Sequence, residues 1–345
     1  MDEITRLQSK ARQTEGDQET LRQQAHEHLQ ARRWQEGSTA FTELLQYNMN
    51  DEDALIGLAL ALDRLGHYEQ MYQTAQRVVK LSPDSAQALA CKARALQKLE
   101  RIPEATVAND QALLLDTNLA SAWFNRSGQQ LSQERFPEAL RSAERAIELD
   151  SADARPWANK GIALVNLNRL SEALEAFNQS LTCDPDYHVA LTMKGETLRR
   201  LGRVQEAVPI AQHALEVAPN EILSLGLMAQ VYSTLEEYEL MEQITKQLIL
   251  LAPDNLFSWE SHMRALRSLG RFEEAQGAIE RVLELDPTNV RYWTNKADNF
   301  YRLGRYREAA SAAEHALTLD EEYPPARRIH EKAVRLMYQR KKKGK

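Results

Sequence analysis

Leu81-Ser82-Pro83-Asp84 decides the fold, because its proline recurs. Steps of 34 residues from Pro83 land on Thr117, Ser151, Pro185, Pro219, Pro253, Pro287 and Glu321. The residue before each is Asp or Ala: Asp116, Asp150, Asp184, Ala218, Ala252, Asp286 and Asp320. A fixed period of about 20–50 residues marks one supersecondary unit stacked many times rather than one compact core.

Starting a unit at Glu52 makes Pro83 its thirty-second residue and sets the phase of the rest. The units are then 52–85, 86–119, 120–153, 154–187, 188–221, 222–255, 256–289 and 290–323, with a weaker copy upstream at 18–51. The fourth place holds Leu21, Leu55, Leu89, Trp123, Trp157, Leu191, Leu225, Trp259 and Trp293. The eighth is small (Ala59, Ala93, Ser127, Gly161, Gly195, Ala229, Ala297), with Met263 the exception. The seventeenth is large and apolar, as in Trp34, Tyr68, Phe136, Phe272 and Tyr306. Alanine recurs at the twentieth: Ala105, Ala139, Ala173, Ala207, Ala275 and Ala309.

Each unit reads as two helices. In 154–187, Leu170, Ala173, Leu174, Phe177 and Leu181 fall on one helical face. Gly66, Gly202, Gly270 and Gly304 follow the first helix of their units, where a left-handed residue commonly ends a helix. Pro103 and Pro137 open second helices, where the missing N–H costs nothing. Small residues at the eighth and twentieth places let backbones approach, and large ones fill the space between. The tryptophans of the fourth place are therefore expected in the core rather than as a base-stacking stripe.

These places resemble the tetratricopeptide repeat over residues 18–323. The resemblance implies an all-α fold: a right-handed superhelical solenoid of about nine helix-turn-helix repeats. One departure is Lys or Arg at the seventh place (Lys92, Arg126, Lys160, Lys194, Lys296), similar to prokaryotic-type arrays. Such a side chain can lay its stem on apolar surface and lift its charge to water. Outside the array lie a polar segment at 1–17, a capping helix at 324–339 and a basic tail at 340–345. The capping helix carries Ala326, Ile329, Ala333, Leu336 and Met337 on one face, as a solenoid end needs.

Composition excludes several classes. The chain is 43% hydrophobic with only 13 Gly and 11 Pro, so neither disorder nor a Pro-rich linker is indicated. No apolar run approaches a membrane span, and Met1-Asp2-Glu3-Ile4-Thr5-Arg6 lacks an export pattern, so the cytoplasm is the expected compartment. Cys91 and Cys183 sit in different repeats and read as small core residues in a reducing compartment. The eight histidines are scattered, and His26 and His28 point to different helix faces. There is no metal-ligand spacing, nucleophile elbow, Walker loop or dinucleotide fingerprint. No cofactor, no metal and no intrinsic enzyme activity are expected.

The resemblance places the functional surface on the inner face, lined by the second, fifth, ninth, twelfth and thirteenth places of each first helix. Its middle is apolar: Phe124, Leu131, Ala158, Ile162 and Val165. Around it stand Arg94, Lys98, Arg155, Arg199 and Arg200. Towards the C-terminal end, Phe257, Arg264, Arg267, Arg291, Tyr301 and Arg302 mix aromatic and basic groups. Together with Arg64 these places hold ten bases against five acids: Asp53, Asp63, Glu196, Glu260 and Asp298. The chain as a whole is at −7. A basic lining in an acidic body points to a non-catalytic scaffold that grips an acidic and apolar peptide segment of a partner protein. The alternatives are a regulatory subunit of a separately encoded enzyme, or a nucleic-acid-associated repeat protein using the tail Arg340-Lys341-Lys342-Lys343-Gly344-Lys345. A pI near 5.7 weighs against nucleic acid. The carboxylate clamp of chaperone adaptors, which in this family needs Asn at the ninth place, is incomplete everywhere.

Repeat 120–153 breaks the core rule, with Gln129, Gln130 and Gln133 where the next repeat has Ala163, Leu164 and Leu167. Its first helix is expected either to expose that face or to be a soft joint.

Overall fold

The computed structural model describes the backbone of residues 2–343 and the side chains of 16–339. It is an all-α helical repeat solenoid, 81% helical. The chain divides into two compact units, 1–185 and 186–345. The first holds α1 (Asp2–Gln30), α2 (Trp34–Tyr47), α3 (Glu52–Leu65), α4 (Tyr68–Leu81), α5 (Ala86–Lys98), α6 (Ile102–Leu115), α7 (Ala120–Ser132), α8 (Phe136–Leu149), α9 (Ala154–Asn166) and α10 (Leu170–Cys183). The second holds α11 (His188–Arg200), α12 (Val204–Val217), α13 (Ile222–Thr234), α14 (Tyr238–Leu251), α15 (Leu256–Ser268), α16 (Phe272–Leu285), α17 (Val290–Arg302), α18 (Tyr306–Leu319) and α19 (Pro324–Lys343). Odd-numbered helices open each repeat and even-numbered ones close it, up to α18.

Two ends differ from expectation. Of the polar N-terminal segment, residues 2–17 are already part of the first helix, which starts at Asp2. The capping helix α19 runs past 339 to Lys343, so the backbone of most of the basic tail is helical. The side chains of 340–345 lie outside the described residues.

Local chemistry sets the helix limits. Asp51 and Asn255 accept from backbone N–H groups of the first turns of α3 and α15. Pro103 and Pro137 stand in the first turn of α6 and α8. The link between the two helices of a repeat needs a left-handed residue. Gly66, Gly202, Gly270 and Gly304 supply it at φ of 71–76°. Arg32, Glu100, Glu134, Asn168 and Glu236 take the same fifteenth place at φ of 58–61° although each has a Cβ. The turn geometry is imposed by the helices on both sides, since a side chain there costs about 1–2 kcal/mol.

Packing follows the small-and-large pattern. A Cβ on Gly161 would lie 2.4 Å from a ring carbon of Phe177, which is fully buried. Only a missing side chain at this eighth place of α9 lets α10 press that close. Buried alanines recur along the twentieth places, from Ala105 to Ala309.

The tryptophans of the fourth place are half-buried rather than sunk in the core. An indole N–H needs an acceptor. Trp123, Trp157, Trp259 and Trp293 each donate to the carbonyl six residues back, at 2.7–3.0 Å. That carbonyl belongs to the recurring turn at Thr117, Ser151, Pro253 or Pro287. Each tryptophan thus pins the repeat-to-repeat turn. Arg126, Lys160 and Lys296, at the seventh place, lie 5.2–5.9 Å above the rings of Trp123, Trp157 and Trp293.

Candidate functional site

In unit 1–185 the inner places converge on Asp63, at the C-terminal end of α3. Its side chain is only 6% exposed. Arg94 of α5 reaches it through Nε at 3.1 Å, and Arg155 of α9 through Nη1 at 2.7 Å. Both guanidiniums also lie on the ring of Phe124 of α7, at 4.9 and 4.6 Å. Arg155 is forked by Asp153, which caps α9, through Nε at 2.9 Å and Nη2 at 2.6 Å. Arg64 approaches Asp153 at 3.5 Å. Further along, Arg32 donates to the Cys183 carbonyl and pairs with Asp184. First and fifth repeats of this unit are therefore tied directly. A cavity of about 450 Å³ lies among these groups, with Leu29, Trp34 and Leu60 on its wall.

Burial alone would push the Asp63 carboxyl up, but Arg94, Arg155 and Arg64 outweigh it and hold it below the usual aspartate value. Asp153 behaves alike: burial pushes up, and Arg155 and Arg64 pull it below. Both stay ionised at neutral pH, so the inner arginines are neutralised from within. The Cys91 thiol nearby is pushed up to about 12 by burial, as an inert core group should be.

Two inner residues predicted to face a partner, Arg94 and Arg155, are thus engaged in intramolecular ion pairs. The reason is geometric: an acid on α3 meets bases on α5 and α9. Lys98 is exposed, with its ammonium 5.7 Å above the Tyr68 ring. Of the apolar middle, Val165 is buried while Leu131 and Ile162 are half-buried.

In unit 186–345 the inner places of α15 and α17 enclose a different site. A cavity of about 540 Å³ is bounded by Arg264, Arg267, Arg291 and Arg302, with Glu260, Asn295 and Asp298 among them and Met263 and Phe272 as apolar wall. Arg267 Nη2 pairs with Asp298 at 2.7 Å, and its Nη1 donates to Asn295. Its buried Nε has no hydrogen-bond acceptor. Arg264–Glu260 and Arg302–Asp298 are loose pairs at 3.7 Å each. Arg291 is exposed and has no ion-pair partner among the described residues. Four guanidiniums share two carboxylates, so an entering anion meets donors that are not already saturated.

Other predicted residues of this unit lie elsewhere. Arg199 is held by Glu196 at 2.7 Å on its own helix, and Arg200 is exposed. Phe257 packs against the cluster of Leu225, Ala229 and Leu248. Tyr301 packs against the cluster that includes Phe300, Ala309 and Ala333, its ring 5.6 Å from that of Tyr306. Neither aromatic lines the cavity. What sequence reading missed is the pairing. Each of the five inner acids meets a base: Asp53 with Arg22, Asp63 with Arg94 and Arg155, Glu196 with Arg199, Glu260 with Arg264, Asp298 with Arg267 and Arg302. The signal was an acid at the second, fifth, ninth or twelfth place of a first helix, but not which first helix carries its base.

The tetratricopeptide repeat family model matches residues 22–86, 130–188 and 262–326, together more than half of the chain. The chain belongs to the tetratricopeptide repeat family. A second model of such repeats, the N-terminal repeat region of Psidin, matches 163–293. Among solved structures, PilF of Pseudomonas aeruginosa is 24% identical, with a TM-score of 0.50 over 61% of this chain and 95% of its own. MamA of Desulfovibrio magneticus RS-1 is 22% identical, with a TM-score of 0.44 over 49% of this chain and 96% of its own. The likeness to PilF shows the fold alone. No curated protein matches the chain. Among the described residues, no helix of this tetratricopeptide repeat protein is long and apolar enough to cross a membrane, and no His, Cys, Asp and Glu side chains gather as a metal set.

Proposed function

We propose that the protein is a non-catalytic scaffold that holds an acidic segment of a partner protein in the arginine-lined cavity of α15 and α17. Tetratricopeptide repeat proteins typically mediate protein–protein contacts. The observation that carries the site is the excess of guanidiniums over carboxylates around that cavity, with Arg291 in no ion pair among the described residues and the Arg267 Nε buried without an acceptor. Met263 and Phe272 offer apolar contact beside the charges. The inner face of unit 1–185 is assigned no such role, because Asp63 and Asp153 already occupy Arg94 and Arg155.

Affinity capture with the full-length chain tests the reading. Proteins retained by the wild type and by Arg199→Glu/Arg200→Glu, yet lost by Arg264→Glu/Arg291→Glu, are the expected result. The two double variants change charge equally, so a nonspecific effect moves both. Unchanged capture by Arg264→Glu/Arg291→Glu with an intact helical spectrum overturns the site.

A further inference from the structure

Repeat 120–153 borders a third cavity, of about 310 Å³, that no inner-face place lines. Its walls are Thr106 and Asp110 of α6, Arg126, Gln129 and Gln130 of α7, Gln133 just after it, and Arg135 just before α8. The glutamines are the anomaly. The tenth place carries a buried alanine in four other repeats: Ala61, Ala95, Ala163 and Ala265. Here it is Gln129, 4% exposed, whose Nε2 is buried without an acceptor. Leaving such a donor unpaired costs about 1–3 kcal/mol. The eleventh place, Leu62, Leu96, Leu164 or Leu266 elsewhere, is Gln130. Its carbonyl accepts from the Ser142 hydroxyl at 2.7 Å, which leaves its NH2 group as a donor.

Donors outnumber acceptors around this space. The Asp110 carboxylate is engaged by Arg126, which also stacks on Trp123. Thr106 donates back to its own helix, at Ile102. Among the described residues, Arg135 pairs with the partly exposed Glu138 alone, at 3.3 Å. What is missing is an acceptor that can take Gln129, Gln130 and Arg135 together. A cavity of this size sits at the small end of ligand sites.

We propose that this cavity is a carboxylate-binding site, filled by a small dicarboxylate or by the side chain of a glutamate on a peptide. One carboxylate oxygen accepts from Gln129 Nε2, and the charge is balanced by Arg135 at the mouth. The site lies on the seventh, tenth, eleventh and fourteenth places of the repeat, so it stands independently of the inner-face cavity of α15 and α17.

Titration of the 15N-labelled full chain tests it, read at the Gln129 and Gln130 side-chain amides, with the Gln130 amide as the reporter in Gln129→Leu. The probes are glutarate and the capped tripeptide acetyl-Ala-Glu-Ala-amide, with acetyl-Ala-Leu-Ala-amide as control. A saturable shift at millimolar probe is expected from at least one acid, absent with the leucine peptide and abolished in Gln129→Leu. Arg135→Ala, a surface change, is expected to weaken binding about tenfold. Saturation by glutarate alone identifies a free acid, and saturation by the peptide identifies a side chain. No shift with either acid means water only and overturns the proposal. So does an unchanged titration in Gln129→Leu. Should Gln129→Leu not fold, an Arg135→Ala titration equal to the wild type overturns it instead.

Discussion

Asp63 shows how a single residue changes the meaning of its neighbours. By place it is one of five acids against ten inner bases, yet it sits between Arg94 and Arg155 and is nearly closed to water. Removing one partner of a buried pair is worse than removing both, because the remaining charge stays desolvated. Asp63→Asn keeps the shape, takes the carboxylate from Arg94 and leaves Arg155 with Asp153 alone, and is expected to cost about 3 kcal/mol. Urea unfolding followed by circular dichroism would show this, and a loss below about 0.5 kcal/mol, the level of ordinary surface changes, would mean that water already screens the pair. The opposite sign is expected at the turn between helices. Glu134 is left-handed at φ 58°, and Glu134→Gly is expected to gain up to about 1 kcal/mol by releasing Cβ strain. The glycines at this place were legible in the sequence. The five side-chain-bearing residues that share their backbone were not, because the strain is imposed by the packed helices rather than chosen locally.

At the level of elements, the two-helix unit was legible throughout, since small and large residues at fixed places fix how helices approach. Gly161 is a sharp case. Gly161→Ala would force Phe177 to move and is expected to cost about 1–3 kcal/mol, read as a fall in melting temperature. The first helix of repeat 120–153, α7, was expected either to expose its glutamines or to be soft. The glutamines divide: Gln133, just past the helix, is exposed, Gln130 is tied to Ser142, and Gln129 is buried without an acceptor. A buried unpaired donor lowers the cost of local opening. Amides of α7 are therefore expected to exchange faster than those of α5 and α9, whose tenth and eleventh places are buried Ala and Leu. Hydrogen exchange read by mass spectrometry decides this, and uniform protection across 86–187 would count against it. The tryptophan positions were legible, but their role was not, because a propensity for burial says nothing about the carbonyl each indole finds.

For the molecule as a whole, the array was written in the period of the sequence, whereas the site was not. Summing charge over inner places treats each helix as independent. The structure pairs acids and bases across repeats, 92 residues apart for Asp63 and Arg155. Pairing also makes the response to acid uneven along the chain. A carboxyl held below its unfolded value favours the folded state at every pH above that value, and the benefit disappears as pH falls through the folded one. Asp63 and Asp153 are both held below 3.8, and both lie in unit 1–185. Their contribution is therefore constant from neutral pH down to about 3.8 and is lost below it. Protection of α3 and α9 amides, compared after correction for intrinsic exchange, is expected to be flat to that point and then to fall. Salt should change it little, because buried pairs are poorly screened. In Asp63→Asn the same amides should start lower at neutral pH and lose less on acidification, since one of the two titrating groups is gone. An acid loss in that variant as large as in the wild type would place the sensitivity elsewhere, on the exposed Arg–Glu pairs that open the second helices, such as Arg169–Glu172 and Arg203–Glu206.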